Sequence, residues 1–297
     1  MDVAQPSLDH LRVFVMVAEC GSFNAAAKRL GRALSVVSYA VTTLEAQLGL
    51  DLFDRQGSRR PQLTEAGQAL LADARAVANE ADALVARARG IRQGLETRLA
   101  LAIDVMMPPA VVACVLREFQ SAFPTVDLRL HVEALGAIAT LVLEGEADLG
   151  VAGPDIANQP GLARRAIGMV EMVPVAAPSH PLGVGPIALG ETARHLQLVL
   201  TDRSPLTAGQ DFSVLSPRTW RLGDLGAKHA LLLEGIGWGL MPHHAVAADL
   251  TAGQLVQLDL PEGAAVLYRL HALWRKDQAP GPAAAWMQDA LARACAG

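Results

Sequence analysis

The sequence predicts a multi-part protein, helical at its start and α/β beyond, and three observations predict it. Its 297 residues exceed the size at which a single core stops growing, near ~250 residues, so two or three compact parts are expected. Apolar residues recur at helical spacing through the first third, then change past Gly94 to alternating runs of strand and helix character. At 52% apolar and 19% charged, the chain has enough apolar surface to offset the entropy of ordering, which excludes a disordered protein.

From Ser7 to Leu50 the apolar residues Leu8, Leu11, Phe14, Val15 and Ala18, then Phe23, Ala26, Ala27 and Leu30, then Val37, Val41, Leu44 and Leu48 predict three short helices. Gly21 ends the first, Ser22 caps the second by accepting from an otherwise unpaired amide, and Gly31 ends the second. Two short helices joined by a tight turn and followed by a third have the proportions of a helix-turn-helix. After Gly49, Leu50 to Phe53 is apolar apart from Asp51, Gln56 to Ser58 reads as a turn, and Arg59 to Leu63 returns as an edge strand despite Pro61. The result is a small β wing. Arg55, Arg59 and Arg60 flank its turn, where flexible cations neutralise phosphates and release counterions; a solvated loop is the plainer alternative.

Thr64 to Ile91 contains no proline. Leu70, Val77, Leu84 and Ile91 recur every seven residues with Ala74, Ala81 and Ala88 between them, the pattern of a coiled-coil seam. The alternative is a helix lying on its own domain. At 1.5 Å per residue such a helix is ~40 Å long, too long for a small head to cover, so a paired, symmetric dimer is expected.

Beyond Gly94, Leu99 to Ile103 reads as a buried strand, Pro109 opens a helix reaching Phe123, Val126 to Val132 alternates as a strand, Gly136 to Leu143 is helical and Asp148 to Ala152 is the next strand. This βαβαβ order predicts a largely parallel sheet. A second unit follows, with strands at Met172 to Ala177, Leu196 to Thr201 and Thr219 to Leu222 and a helix at Ala227 to Glu234. Ala265 to Trp274 and the helix Ala283 to Ala294 then return to the first unit. Two α/β lobes joined by crossing segments enclose a cleft, the default place for a ligand.

The net charge of −5 argues against nucleic-acid binding until it is split along the chain. Residues 1–92 hold 11 Lys and Arg against 10 Asp and Glu, and the remainder holds 14 against 20. Cations cluster at Lys28, Arg29 and Arg32 and again at Arg55, Arg59 and Arg60, and clustering sets a local field. The longest apolar candidate, Leu99 to Leu116, is broken by Asp104, Pro108 and Pro109, so no membrane span is expected. Met1 to His10 carries no Lys or Arg ahead of an apolar run, which is not the build of a secretory signal; a cytoplasmic protein is expected. Cys20, Cys114 and Cys295 are scattered, without the spacing of a zinc or redox site. His243 and His244 are adjacent and so project differently on a helix, with no ligand cluster beside them. No P-loop, dinucleotide fingerprint, nucleophile elbow or H-E-x-x-H pair is present. Neither catalysis, a metal nor a cofactor is expected.

The run Phe14-Val15-Met16-Val17-Ala18-Glu19-Cys20-Gly21-Ser22-Phe23-Asn24-Ala25-Ala26-Ala27-Lys28-Arg29-Leu30, with Leu44-Glu45, Leu48-Gly49, Leu52-Phe53-Asp54-Arg55 and Leu63-Thr64-Glu65-Ala66-Gly67, resembles the winged helix-turn-helix of LysR-type transcriptional regulators. The resemblance is dense over about the first seventy residues, and the remaining architecture agrees with the family through weaker motifs. It implies an α/β chain with an N-terminal winged helix-turn-helix, a long linker helix and a two-lobed periplasmic-binding-protein-like effector domain. The corresponding boundaries are 1–63 for the DNA-binding domain, 64–92 for the linker and dimerisation helix, and 93–297 for the effector domain, with lobe I at 93–160 and 265–297 and lobe II at 161–264.

The resemblance further implies that Arg32 to Leu48 is the recognition helix. Arg32, Ala33, Leu34, Ser35, Ser38 and Tyr39 then meet bases or sugar-phosphate, while Val37, Val41 and Leu44 face the head's own core. Many members have Ser-Gln where this chain has Ala33-Leu34. Glutamine can pair with an adenine edge through two hydrogen bonds, whereas leucine can only touch a thymine methyl.

Strand ends give the candidate effector residues: Asp104, Val105, Met106 and Met107 after the first strand, Gly153 and Pro154 after the third, and Thr201, Asp202 and Arg203 in the second lobe. Lys228, near a helix start, joins them. In LysR-type proteins a Ser or Thr often follows the first strand and binds an acidic effector with helix amides. Here Asp104 stands instead, and as an extra carboxylate it predicts an effector bearing an amine, hydroxyl or ring NH, with Arg203 or Lys228 meeting any anionic part. The alternative is that Asp104 caps the following helix or pairs with Lys228. Trp220 and Trp238 are left to the core. The expected working form is a ligand-responsive regulator, a tetramer built as a dimer of dimers on double-stranded promoter DNA, with RNA polymerase a further partner. A DNA-binding head fused to an enzymatic or non-signalling solute-binding module is the rival.

Overall fold

The computed structural model describes residues 5–54, 61–153, 159–202, 204–210, 212–261, 263 and 266–296. The chain divides into two compact units, Met1–Arg89 and Gly90–Gly297.

In the first unit, α1 (Leu8–Cys20), α2 (Phe23–Leu30) and α3 (Leu34–Leu48) form as the apolar spacing predicts. The Ser7 and Ser22 hydroxyls accept from the amides of His10 and Ala25, supplying partners to first-turn donors that the helices themselves leave unpaired. Gly21 and Gly31 end α1 and α2 in the left-handed region. Phe14, Val17, Val37, Val41, Leu44 and Leu52 fill the core, and the Phe53 ring meets Phe14 and Phe23 edge-on at 5.6 and 5.5 Å. The wing strands β1 (Phe53–Asp54) and β2 (Gln62–Leu63) pair antiparallel. The first is shorter than the predicted Leu50–Phe53, because Leu50 lies in the turn that leaves α3; of the predicted Arg59–Leu63, Arg59 and Arg60 lie outside the described residues.

The 28-residue α4 (Glu65–Arg92) begins against this wing. Thr64 Oγ1 donates to the Asp51 carbonyl at 2.6 Å and accepts from the Gly67 amide at 2.9 Å. A Cβ on Gly67 would lie 2.1 Å from the Leu52 carbonyl oxygen, so the Thr64-Glu65-Ala66-Gly67 run is the seam where α4 docks on the wing. This docking corrects the predicted pairing seam. Ala74 is only 5% exposed and packs in the head core, with Leu70 against it. A side chain already covered by its own domain has no area left for a partner, so Ala74 belongs to the head, while Leu70 stays half-buried at its edge. Ala81 is half-buried, and Val77, Leu84, Ala88 and Ile91 remain exposed.

The second unit is built on one sheet, nine-stranded among the described residues, in the order β4-β3-β5-β11-β6-β9-β7-β8 with β10 on β6. On one side β3 (Arg98–Asp104) pairs in parallel with β4 (Asp127–Glu133) and β5 (Leu149–Ala152); on the other, β7 (Gln197–Leu200) pairs in parallel with β8 (Thr219–Leu222) and β9 (Trp238–Pro242). The long antiparallel pair β6 (Leu162–Ala176) and β11 (Val266–Arg275) runs between them, with β10 (Val256–Gln257) at its end. Hence the two predicted lobes share a continuous sheet. Strand β6 starts ten residues before the predicted Met172, because its first half carries Arg164 and Arg165 exposed and lacks the uninterrupted apolar run that marks its second half.

Helices α5 (Pro109–Ala122) and α9 (Pro282–Ala296) pack together through Phe119, Phe123 and Trp286, whose ring centroids lie 5.2–5.9 Å apart. On β3 and β5, α6 (Gly136–Leu143) lays Ile138, Ala139 and Val142 over Ala102 and Ala152. The second side is covered by α7 (Leu225–Leu233) and α8 (His243–Ala252). Among the described residues no helix is long and apolar enough to cross a membrane.

Candidate DNA interface and effector cavity

The helix predicted to be the recognition helix, α3, starts two residues later than expected. Ala33 is its N-terminal cap and Arg32 lies outside it. Both Arg32 guanidinium nitrogens donate to the Asp9 carboxylate, at 2.7 and 2.8 Å, and this pairing holds the Asp9 carboxyl below its usual range. The pair is solvent-exposed, so it contributes little to stability, and it orients the guanidinium toward α1. Ala33, Leu34, Ser35, Val36 and Tyr39 are exposed on the first turns of α3, with Ser38 half-buried at their edge. Val37, Val41 and Leu44 face the core. Arg55, Arg59 and Arg60 lie outside the described residues.

One head residue was missed by the sequence reasoning. Glu45, 5% exposed, accepts the amides of Leu52 and Phe53 at 2.9 and 3.2 Å, a charge-assisted clamp that fixes the far end of α3 to the wing. The signal for it was present, since Glu45 directly follows Leu44 and lies four residues after Val41 on the helix's apolar face.

In the second unit the predicted effector residues separate into three groups. Met106 and Lys228 line a cavity of about 70 Å³ together with Leu135, Met172, Phe212, Leu240 and Tyr268. Val105, Thr201 and Asp202 line a different, open cleft of about 1060 Å³. Asp104 and Met107 line neither; Met107 is core. Arg203 and Pro154 lie outside the described residues.

Asp104 does not offer a carboxylate to a ligand, which corrects the sequence expectation. It is 1% exposed. Its Oδ1 accepts from the Met106 amide at 2.9 Å, its Oδ2 accepts from the Tyr268 hydroxyl at 2.6 Å, and the Gly153 amide is a further donor. Burial pushes its pKa up to about 6 against the pull of these donors. Neither alternative role is found: the Met106 amide lies before α5, whose cap is Pro108, and the side-chain partner is Tyr268 in place of Lys228. A Cβ on Gly153 would fall 2.1 Å from the Tyr268 hydroxyl oxygen, so the glycine makes room for this bond. Asp202 is likewise engaged: its carboxylate accepts from the Ala137 amide at 2.8 Å, at the start of α6, and from the Thr207 hydroxyl.

Lys228 is different. It is 3% exposed and its ammonium donates to the Leu240 carbonyl at 2.6 Å. No carboxylate among the described residues pairs with it, and burial pulls its pKa down to about 8. Tyr268 is the cavity residue the sequence reasoning passed over. A tyrosine inside a buried strand requires a hydrogen-bond partner, and Asp104, at the end of another buried strand, was the available acceptor. Trp238 is fully buried, as core, whereas Trp220 is exposed on β8.

A winged helical head with an outward-facing third helix, followed by a two-sided α/β domain with an internal polar-tipped cavity, defines a DNA-binding protein joined to a small-molecule receptor. Residues 8–68 match the model of the bacterial regulatory helix-turn-helix protein, lysR family, and residues 92–296 match the LysR substrate binding domain. The chain belongs to the LysR family of transcriptional regulators, which bind DNA and small-molecule effectors. It is 29% identical over 298 residues to the probable HTH-type transcriptional regulator YhaJ of Escherichia coli K12, covering 94% of each chain. It is 30% identical over 260 residues to a probable hydrogen peroxide-inducible genes activator of Streptomyces viridosporus, covering 85% of this chain and 83% of the relative. In fold it is similar to full-length LysG of Corynebacterium glutamicum, with a TM-score of 0.52, 22% identity and 98% coverage of each chain. It is also similar to CrgA of Neisseria meningitidis, with a TM-score of 0.52, 23% identity and coverage of 96% and 98%.

Proposed function

We propose that this regulator answers to a small, largely apolar acid held in the Lys228 cavity, and that occupancy changes how paired heads engage promoter DNA. The observation that carries the reading is Lys228 itself, a buried cation with no carboxylate partner among the described residues, on the wall of an apolar cavity. A buried ammonium is costly unless paired, so an entering carboxylate is favoured by the charge it neutralises. The polarity is the reverse of that expected from Asp104, whose carboxylate is consumed by Tyr268 and backbone amides.

The heads pair through the exposed side of α4, where Val77, Leu84, Ala88 and Ile91 continue the seven-residue repeat beyond the part claimed by the head core. Two such dimers form a tetramer on neighbouring sites, with RNA polymerase as a further contact, in the cytoplasm. Arg55, Arg59 and Arg60 hold phosphates. The domains act as 1–63, 64–92 and 93–297, and the effector is bound without being transformed.

The test uses the full chain with acetate, propionate and butyrate as probes, beside propanol and propylamine. Thermal stabilisation by an acid, absent with the neutral and cationic analogues and lost in Lys228→Met, supports the reading. Stabilisation by the amine alone sinks it. Recovery of the acid unchanged, with an altered footprint on DNA, separates a regulator from an enzyme. Sedimentation of the Val77→Glu, Leu84→Glu double variant as a monomer supports α4 pairing.

A further inference from the structure

The first turns of a recognition helix meet base edges in the major groove, and those of α3 are unusual in what they lack. Of the 15 residues of α3 the only charged one is Glu45, which is buried and bonded to the Leu52 and Phe53 amides. The only amide side chain is Gln47, in the last turn, 3.4 Å from His10. No side chain at the start of the helix can form the two-bond pairs by which arginine or lysine reads guanine and asparagine or glutamine reads adenine. What is exposed there is aliphatic or hydroxylic: Leu34 at 43%, Val36 at 48% and Tyr39 at 71%, with Ser35.

Charge is placed elsewhere. Lys28 and Arg29 lie in the last turn of α2, both exposed, positions suited to phosphates flanking a groove, while Arg32, before α3, is bonded to Asp9. The head therefore separates its two tasks, with cations beside the helix and an uncharged, methyl-rich tip on it. In the major groove the one apolar feature of a base pair is the thymine C5-methyl. Hydroxyls bond to several base edges and discriminate weakly, so the methyl groups carry the selectivity.

We infer that α3 selects thymine through its C5-methyl group, with Leu34 and Val36 as the contacting residues. This rests on the DNA-binding reading of the head and assigns what that head prefers. Burying one methyl-sized group changes affinity about fourfold.

The experiment begins with full-length protein selecting its sites from random-sequence duplexes. Each thymine of the selected half-site is then replaced by deoxyuridine, which removes the methyl group and keeps every hydrogen-bonding atom. The expected result is about a fourfold loss at each contacted position and a changed preference toward adenine in Leu34→Gln. Because Leu34 is exposed, that variant keeps the head folded, which its melting temperature checks. Equal affinity for the thymine and uracil duplexes at all positions overturns the inference while leaving DNA binding intact. Selection of no sequence at all overturns both.

Discussion

Replacing Lys228 with methionine is expected to stabilise the second unit at neutral pH. Its ammonium sits 3% exposed with one acceptor, the Leu240 carbonyl at 2.6 Å, and burial brings its pKa from the ordinary 10.5 to about 8. Between those values the unfolded chain holds the proton and the folded chain does not, so stability rises with pH through the window. The full rise is roughly 3 kcal/mol, at about 1.36 kcal/mol per pH unit. Below about pH 8 both states are charged and the folded protein bears the whole desolvation cost. Methionine is similar in length and removes that cost, while losing a charged hydrogen bond worth about 1.5–3 kcal/mol. The expected net gain at pH 7 is therefore about 1 kcal/mol, a rise of about 2–4 °C in Tm for a unit of this size. It should shrink and change sign as pH approaches 10.5, where wild type carries a neutral amine. Thermal melts of both proteins from pH 7 to 10 read this directly. A variant that melts well below wild type at pH 7, by a margin that does not change with pH, would refute the idea of an uncompensated cation.

Three further outcomes are expected. Glu45→Ala leaves the Leu52 and Phe53 amides without their acceptor and should destabilise the head by about 2–4 kcal/mol, read as earlier melting and as loss of DNA affinity reversed by cooling. Arg59→Ala with Arg60→Ala should weaken binding to all sequences alike and lower the slope of log affinity against log salt by about 0.9 for each phosphate no longer neutralised; a changed sequence preference would count against the assignment. Tyr268→Phe removes a donor from Asp104, whose pKa is already raised to about 6. A raised carboxylate pKa lowers stability as pH rises through the interval above its ordinary value, so the variant should keep losing stability to higher pH than wild type, in melts from pH 4 to 8.

The head was legible because its instructions are local. Ser7, Ser22, Gly21 and Gly31 act within a few residues of themselves, and the helices they bound appear where the spacing puts them. The single sheet was less legible because β6 joins two environments: its first half presents Arg164 and Arg165 to solvent while its second half is buried, so only the second half resembles a buried strand in sequence. The effector residues were hardest to read. Strand ends pointed to Met106 and a helix start to Lys228, which line one cavity, yet whether Asp104 faces that cavity depends on Tyr268, 164 residues away, and no local pattern carries that. On α4 the repeat misplaced Ala74 for the same reason. A seven-residue repeat marks an apolar stripe without saying who covers it, and Gly67, by letting α4 close on Leu52, gives Ala74 to the head.

A head with an uncharged reading tip draws its affinity for one half-site chiefly from the cations beside that tip, because most affinity for DNA comes from neutralised phosphates. Joining two heads through α4, as proposed above, raises affinity by about 10²–10⁴ through effective concentration alone, equivalent to about 3–5 kcal/mol. Ligand coupling in regulators is typically about 1–3 kcal/mol. An effector that alters the spacing between heads thus acts on the linkage that supplies most of the affinity, and its coupling is large enough to remove much of that advantage. One that altered only how a single head meets its half-site would leave that linkage untouched. A carboxylate at Lys228 should therefore change the affinity for two half-sites on one duplex and leave the affinity for an isolated half-site nearly unchanged. Equal effects on both would place the control inside the head and contradict the linked mechanism.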